Sequence, residues 1–424
     1  MKKVCFCGIL FLVFVVCVLS SIEKSVGVDA KCREKEHQFT LGLERFSCDL
    51  LRNAWPTCKS FRIGLITNQT GKSQQGERSV GILLKRGFEI KKIFTPEHGI
   101  SGLVHTDERI SNSIDGALGV PIITLYSQGR PIKINAKMLK DIDLLVFDIQ
   151  DAGMRHYTYI TTLFQAMEAA QQYNKKFVVL DRPNLLGPCM DGPLVESGFK
   201  SGISIASIPL RHGMTVGELA LYFNRYIFQK PIELYVVTMK NYQRDSFACN
   251  QLISYLSSGI RNLNSCYCYS FLGLLGEIRP FYIGLGTKRR FQTIMLNEKI
   301  AFSMKRWKEL QDMLHMFGIE SFFCKQAGKK SLFRGLELSV KNVYNLESFK
   351  LLVRIVTFFK KSGVNIAFSK AFNIAVGTDK LRAFFDGKMK YQVFKKNVNK
   401  NLWKFYKKTQ NCFLYSPFPE VKYL

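Results

Sequence analysis

No Gly-x-Gly-x-x-Gly follows the first predicted strand of this chain, and it has no complete P-loop, no Gly-x-Ser-x-Gly elbow and no Cys-x-x-Cys pair. Each absence removes a chemistry. A dinucleotide lacks the glycine turn that its pyrophosphate needs. Gly71-Lys72-Ser73 looks like the end of a phosphate loop, but Ile66 stands where the first glycine is required. Hydrolases of the serine-elbow type are disfavoured. Neither the cysteines nor the histidines have metal-ligand spacing, so no metal and no cofactor is expected. Acids are scarce too, with 33 Asp and Glu against 61 Lys and Arg and a net charge of +28. Such a surface attracts polyanions. The cations are dispersed and no nucleic-acid module is visible, which points away from nucleic acid and toward an anionic envelope polymer, with a merely solvated basic surface as the alternative.

Lys2 and Lys3 precede an unbroken apolar run from Val4 to Leu19 and a more polar stretch to Ala30. This is the pattern of an export signal, and the run is short for a membrane span. Residues 1–30 are therefore expected to be removed, leaving no stable span; an uncleaved anchor is the alternative. Of 12 cysteines, Cys5, Cys7 and Cys17 would leave with the signal. The remaining odd number suggests mostly buried free thiols with one or two bridges. Asp29-Ala30-Lys31 before Cys32 is a poor context for lipidation.

Short β-rich runs at Arg62–Thr67, Glu89–Phe94, Val120–Tyr126, Leu144–Asp148 and Phe177–Leu180 alternate with helical patterns, notably Ser79–Arg86 and Thr158–Gln172. The alternation predicts an α/β fold with a parallel sheet and covering helices. A further strand is expected at Ile232–Val237, after which the texture becomes mixed, and a boundary is placed so that residues 31–228 and 229–424 form two domains. Between Lys388 and Lys408, lysines interleave with Tyr391, Phe394, Trp403, Phe405 and Tyr406. An amphipathic helix accounts for that stretch better than a glycan surface does.

Four predicted strands end in polar segments that a parallel sheet would bring to one edge, where ligands bind in open α/β sheets. The first is Asn68-Gln69-Thr70-Gly71, a formal glycosylation sequon that reads first as local capping. In Phe94-Thr95-Pro96-Glu97-His98-Gly99, Pro96 stops the ladder and aims Glu97 and His98 outward. The third, Ile149 to Gly153, lies in a richer stretch from Phe147 to Tyr159 that carries Asp148, Gln150, Asp151, Arg155, His156 and Tyr157. Asp148 and Asp151 are candidates for base or orienting carboxylates, and Arg155 for a carboxylate clamp. The alternative is an internal salt bridge from Arg155 to one aspartate. Asp181-Arg182-Pro183-Asn184 is the fourth, with a stapled turn as its plainer reading. Arg211 and His212 precede a helix whose Thr215 and Glu218 have capping-box spacing, which makes Glu218 structural. Three of the six histidines, His98, His156 and His212, lie in these segments.

Taken in order, these motifs resemble the NamZ family of exo-β-N-acetylmuramidases. The matching pieces are Gly64 to Gly71, Pro96 to Gly99, Leu125-Tyr126, Phe147 to Tyr159, Leu180 to Asn184 and Arg211 to Ala220, with weaker echoes at Gly284 to Thr287, Val376 to Asp379 and Leu414-Tyr415. The resemblance implies a Rossmann-like N-terminal domain without nucleotide, a smaller α/β C-terminal domain, and a cleft between them. It also implies removal of N-acetylmuramic acid from non-reducing ends of peptidoglycan fragments, with the protein exported to the periplasm or exterior of a bacterial envelope. Leu263 to Tyr267 stands where the family usually carries a tryptophan and a Ser-Pro-Asn segment.

Glycoside cleavage needs an acid to protonate the leaving oxygen, and Glu97 at its strand end fits that task, with His98 beside it. Asp148 or Asp151 would activate water or act as nucleophile, and the 2-acetamido group of the substrate offers a third route. Arg155, Arg182 and Arg211 are candidates for the lactyl carboxylate. Asn68, Gln150, His156, Tyr157, Asp181 and His212 complete the expected binding set. A non-catalytic muropeptide-binding protein is the other reading.

Overall fold

A computed structural model describes residues 39–58, 61–105, 108–245, 256–328 and 331–424. The expected export signal and Cys32 lie outside them. Seven strands form the larger sheet: β1 (Arg62–Thr67), β2 (Glu89–Thr95), β3 (Ser113–Ile114), β4 (Pro121–Thr124), β5 (Leu144–Asp148), β6 (Lys176–Leu180) and β7 (Leu234–Val237), in the spatial order β7-β6-β5-β1-β2-β4-β3. All neighbours are parallel except β3 on β4. The chain works outward from β1 to β4 on one side, then returns to place β5 to β7 on the other. β1 and β5 therefore flank the point where the strand order reverses, the usual place for a ligand crevice.

Helices α1 (Ser79–Lys85), α2 (Tyr159–Gln172) and α3 (Val216–Tyr226) cover this sheet, α2 lying on β5 and β6 and α3 on β6 and β7. Leu65, Val146, Phe147, Val178 and Leu180 are fully buried. Burial of each such side chain contributes about 1.5 to 3 kcal/mol, and strands covered on both faces read as the unbroken apolar runs seen in the sequence. β7 is the strand read at Ile232–Val237, and it pairs with β6. The large sheet thus continues past residue 228. At the start of α3, Thr215 Oγ1 accepts from Glu218 N at 3.3 Å and Glu218 Oε2 accepts from Thr215 N at 2.9 Å, the reciprocal box that the spacing predicts.

Beyond β7, helix α4 (Leu263–Leu275) packs on α6 (Ser348–Lys361) and on a three-stranded antiparallel sheet. The strands are β8 (Thr293–Asn297), β9 (Ile319–Ala327) and β10 (Leu332–Val340), in the order β8-β10-β9, and α5 (Met304–Met316) covers β9. The lysine-rich stretch near the C-terminus is α7 (Tyr391–Thr409), which buries Phe394, Val398, Leu402 and Phe405 and exposes Trp403. It is an amphipathic helix. All seven described cysteines are free thiols, and among the described residues no helix is long and apolar enough to cross a membrane.

Candidate active site

β2 stops at Thr95 because Pro96 cannot donate to a ladder. The chain then turns through two left-handed residues, His98 at φ 71° and Gly99 at φ 72°. Histidine tolerates that region better than most side chains but still at a cost. Nδ1 of His98 lies 2.7 Å from the Val104 carbonyl, and since a carbonyl can only accept, Nδ1 is the donor. Glu97, 5% exposed, projects from the same turn, and Thr158 Oγ1 donates to its Oε2 at 2.5 Å.

Glu97 and His98 line a cleft of about 370 Å³. His105, His156, Tyr157 and Thr158 complete the wall on the side of the large sheet. Most of the rest of the lining comes from residues after β7, among them Ser257 to Ile260, Tyr269, Gly273, Glu277, Arg290 and Phe291. The 256–260 segment is tied to the sheet domain by Gln69 Nε2, which donates to Leu256 O at 2.6 Å, and by Tyr159 Oη, which donates to the same carbonyl at 3.2 Å. His156 rests against Tyr269 with ring centroids 4.8 Å apart, and both its nitrogens are buried without a hydrogen-bond partner. Burial, then the charge of Arg155, push its pKa down to about 3, so the ring is neutral under ordinary conditions. Burial and then the Glu97 charge push Tyr126 up to about 12. Tyr269 is raised by burial first and by Glu97 and Asp151 next.

The other expected residues sit elsewhere, mostly committed to one another. Asp148 and Arg182 form a fully buried bidentate pair, Nε to Oδ1 at 2.7 Å and Nη2 to Oδ2 at 3.0 Å. Asp151 lies outside the cleft lining; its Oδ2 accepts from Gly153 N at 2.6 Å and is 3.4 Å from His212 Nε2. Asn68 Oδ1 accepts from Thr70 N and Thr70 Oγ1 at 2.9 and 2.6 Å, and Thr70 Oγ1 in turn accepts from Gln150 N at 2.9 Å. Gln150 Nε2 donates to Asp151 O and Pro183 O at 3.0 and 2.7 Å. Asp181 accepts from Thr215 Oγ1, Gly217 N and Tyr415 Oη, at 2.8, 2.8 and 2.7 Å, and burial raises its pKa to about 6. Among the described residues Arg155 pairs with no aspartate, and it is not part of the cleft lining. It donates to four carbonyls, of Pro193, Ile208, Ala375 and Val376, at 2.7 to 3.0 Å. Arg211 is caged in the same way by Leu186, Val343 and Leu346 carbonyls and by Ser348 Oγ. The strand ends converge as the topology requires, yet of the expected residues only Glu97, His98, His156 and Tyr157 line the opening.

Sequence reasoning missed Thr158, the Ser257–Ser258 wall, Tyr269, Glu277 and Arg290. The signal available for the last was its place just after the Gly284-Leu285-Gly286-Thr287 stretch.

Comparison with known proteins decides the family. The N-terminal model of exo-β-N-acetylmuramidase NamZ matches residues 63–260, and the C-terminal model matches residues 267–415. The chain belongs to the NamZ family. This places it among the glycoside hydrolases. Over 309 residues it is 35% identical to the peptidoglycan β-N-acetylmuramidase NamZ of Bacillus subtilis strain 168, covering 70% of this chain and 72% of that one. Two solved DUF1343 family proteins of Bacteroides fragilis NCTC 9343 are similar in structure. Their TM-scores are 0.76 and 0.67 at 28% and 27% identity, with 89% of this chain and 99% of each of theirs covered.

Proposed function

We propose that this protein is an exo-acting β-N-acetylmuramidase, exported to the bacterial envelope, that removes N-acetylmuramic acid from non-reducing ends of peptidoglycan fragments with Glu97 as general acid. The activity follows from the NamZ family and the similarity to the Bacillus subtilis enzyme. The single observation that carries the assignment of Glu97 is its company. It lines the cleft, is nearly buried, and is held by a hydroxyl rather than a cation. Thr158 engages one oxygen of Glu97, a carboxyl suited to passing a proton to a leaving oxygen, whereas both oxygens of Asp148 are taken by Arg182.

About 370 Å³ lies at the small end of ligand pockets, which suits a terminal sugar better than the middle of a long glycan. His98 stands beside the acid in the cleft lining. Glu277 is a second carboxyl group of the cleft lining and accepts from Ser369 Oγ. On this reading it is the candidate to serve an attacking water or an oxocarbenium-like transition state.

The test is release of chromophore from a chromogenic N-acetylmuramide. Wild type releases it, and Glu97→Gln loses roughly 10²- to 10⁴-fold in kcat/KM, the usual worth of a general acid. Equal rates would remove Glu97 from the role. Muropeptide binding without turnover by the wild type would support a glycan carrier instead.

A further inference from the structure

Arg290 lines the same cleft as Glu97, and the serine it bonds, Ser258, has its Oγ 3.4 Å from His98 Nδ1. Its Nη1 donates to Ser258 O at 2.7 Å, and its Nε is buried without a hydrogen-bond partner. Its neighbour Arg289 is paired with Glu337 at 2.9 Å. Among the described residues Arg290 has no such carboxylate, and the charge that bears most on it is another cation, Arg261. Arg261 Nε donates to the same Ser258 carbonyl at 3.3 Å. Two guanidinium groups thus gather on one carbonyl at the edge of a cleft, an arrangement that like-charge repulsion opposes and a bound anion relieves.

The cleft carries two carboxylates as well, Glu97 and Glu277. A carboxyl group gives an anionic substrate group nothing to bind by charge, so the arginine is the lining group that attracts it. Arg155, Arg182 and Arg211 cannot compete, because carbonyl cages or Asp148 already hold them.

We propose that Arg290, with Arg261 behind it, is the anion subsite of the cleft and takes the lactyl carboxylate that distinguishes N-acetylmuramic acid from N-acetylglucosamine. The inference rests on the muramidase reading above. Guanidinium suits the task, since its planar fork matches a carboxylate and keeps its charge at any working pH.

The experiment compares wild type, Arg290→Ala and Arg290→Lys on a chromogenic N-acetylmuramide and on the same compound with its lactyl carboxylate converted to a carboxamide. Arg290→Ala is expected to lower kcat/KM for the acid roughly 10- to 100-fold, the size of one hydrogen bond to a charged group, mainly through KM. Its rate on the carboxamide should change little, and Arg290→Lys should recover part of the loss on the acid. Equal losses on both compounds, or no loss on either, would overturn the subsite while leaving the muramidase reading intact. If wild type cleaves neither compound, that reading fails, and calorimetric binding of free N-acetylmuramic acid and its carboxamide still decides the subsite. A preference for the acid that Arg290→Ala abolishes supports it. Equal binding, or none, overturns it.

Discussion

Removing the Asp148 carboxylate would strand the Arg182 guanidinium in the interior. The two side chains are 0% and 2% exposed and joined by two short bonds, and the guanidinium also donates to Lys72 O at 3.0 Å. Breaking a buried pair by deleting one member costs about 3 to 5 kcal/mol, because the survivor is left charged and dry. For a unit of the size of Thr40–Leu424, an unfolding entropy of ~2.1 cal/mol/K per residue sums to about 0.8 kcal/mol/K. Asp148→Ala should therefore lower Tm by about 4 to 6 °C in scanning calorimetry. Asp148→Ala with Arg182→Met should regain much of this, since an apolar pair of similar volume often matches a buried ion pair. Below its melting range the single variant should still turn over the muramide. A Tm within about 1 °C of wild type, together with a loss of turnover on the order of 10³-fold, would refute this and make Asp148 a chemical group.

Gly153 has φ 90°, and a Cβ there would lie 2.4 Å from Asn184 Oδ1; Gly153→Ala should cost at least about 1 to 3 kcal/mol from the backbone alone, measured by urea unfolding. Burial raises Asp191 from 3.8 to about 6, so the folded state binds the extra proton between those values. The resulting penalty is present above pH 6 and relieved as pH falls toward 4, with a slope of at most ~1.4 kcal/mol per pH unit. Asp191→Asn should remove that slope from the pH dependence of unfolding. His156 has the opposite sign: with a folded value near 3 against 6.5, its contribution is lost as pH falls below 6.5. His156→Gln should therefore make the protein less sensitive to acid between about pH 6 and 4, again read by urea unfolding.

The large sheet was legible because buried parallel strands are unbroken apolar runs, and Pro96 and the Thr215–Glu218 box mark their own boundaries. Glu97 was legible for the same reason, as the carboxylate carried past a strand end. The roles of the arginines were not. A sequence shows the charge of Arg155 but not the carbonyls of Ala375 and Val376, more than 200 positions away, that satisfy it. The rest of the cleft lining was hidden for a different reason. Tyr269 lies on a helix whose pattern is apolar all round, and Arg290 is one of 61 basic residues with no local spacing to distinguish it.

The caged arginines have a mechanical consequence for the cleft. Arg155 joins the loop after β5 to the carbonyls at 375–376, and Arg211 joins the segment before α3 to the start of α6. Arg155 therefore fastens the sheet domain to Ala375 of the cleft lining, and Arg211 fastens it to Ser348, which bonds Ser270 on the helix that carries Tyr269. Arg155→Met keeps much of the side-chain volume but leaves four carbonyls without their donor, each costing about 1 to 3 kcal/mol where water cannot reach it. The expected outcome is a large loss of stability, with faster hydrogen exchange around residues 193–208 and 375–378. Discrimination between the N-acetylmuramide and its carboxamide should persist in the folded fraction, because the lactyl carboxylate is held at Arg290. Unchanged exchange together with lost discrimination would instead make Arg155 a substrate clamp, and the cage of carbonyls around it a resting state.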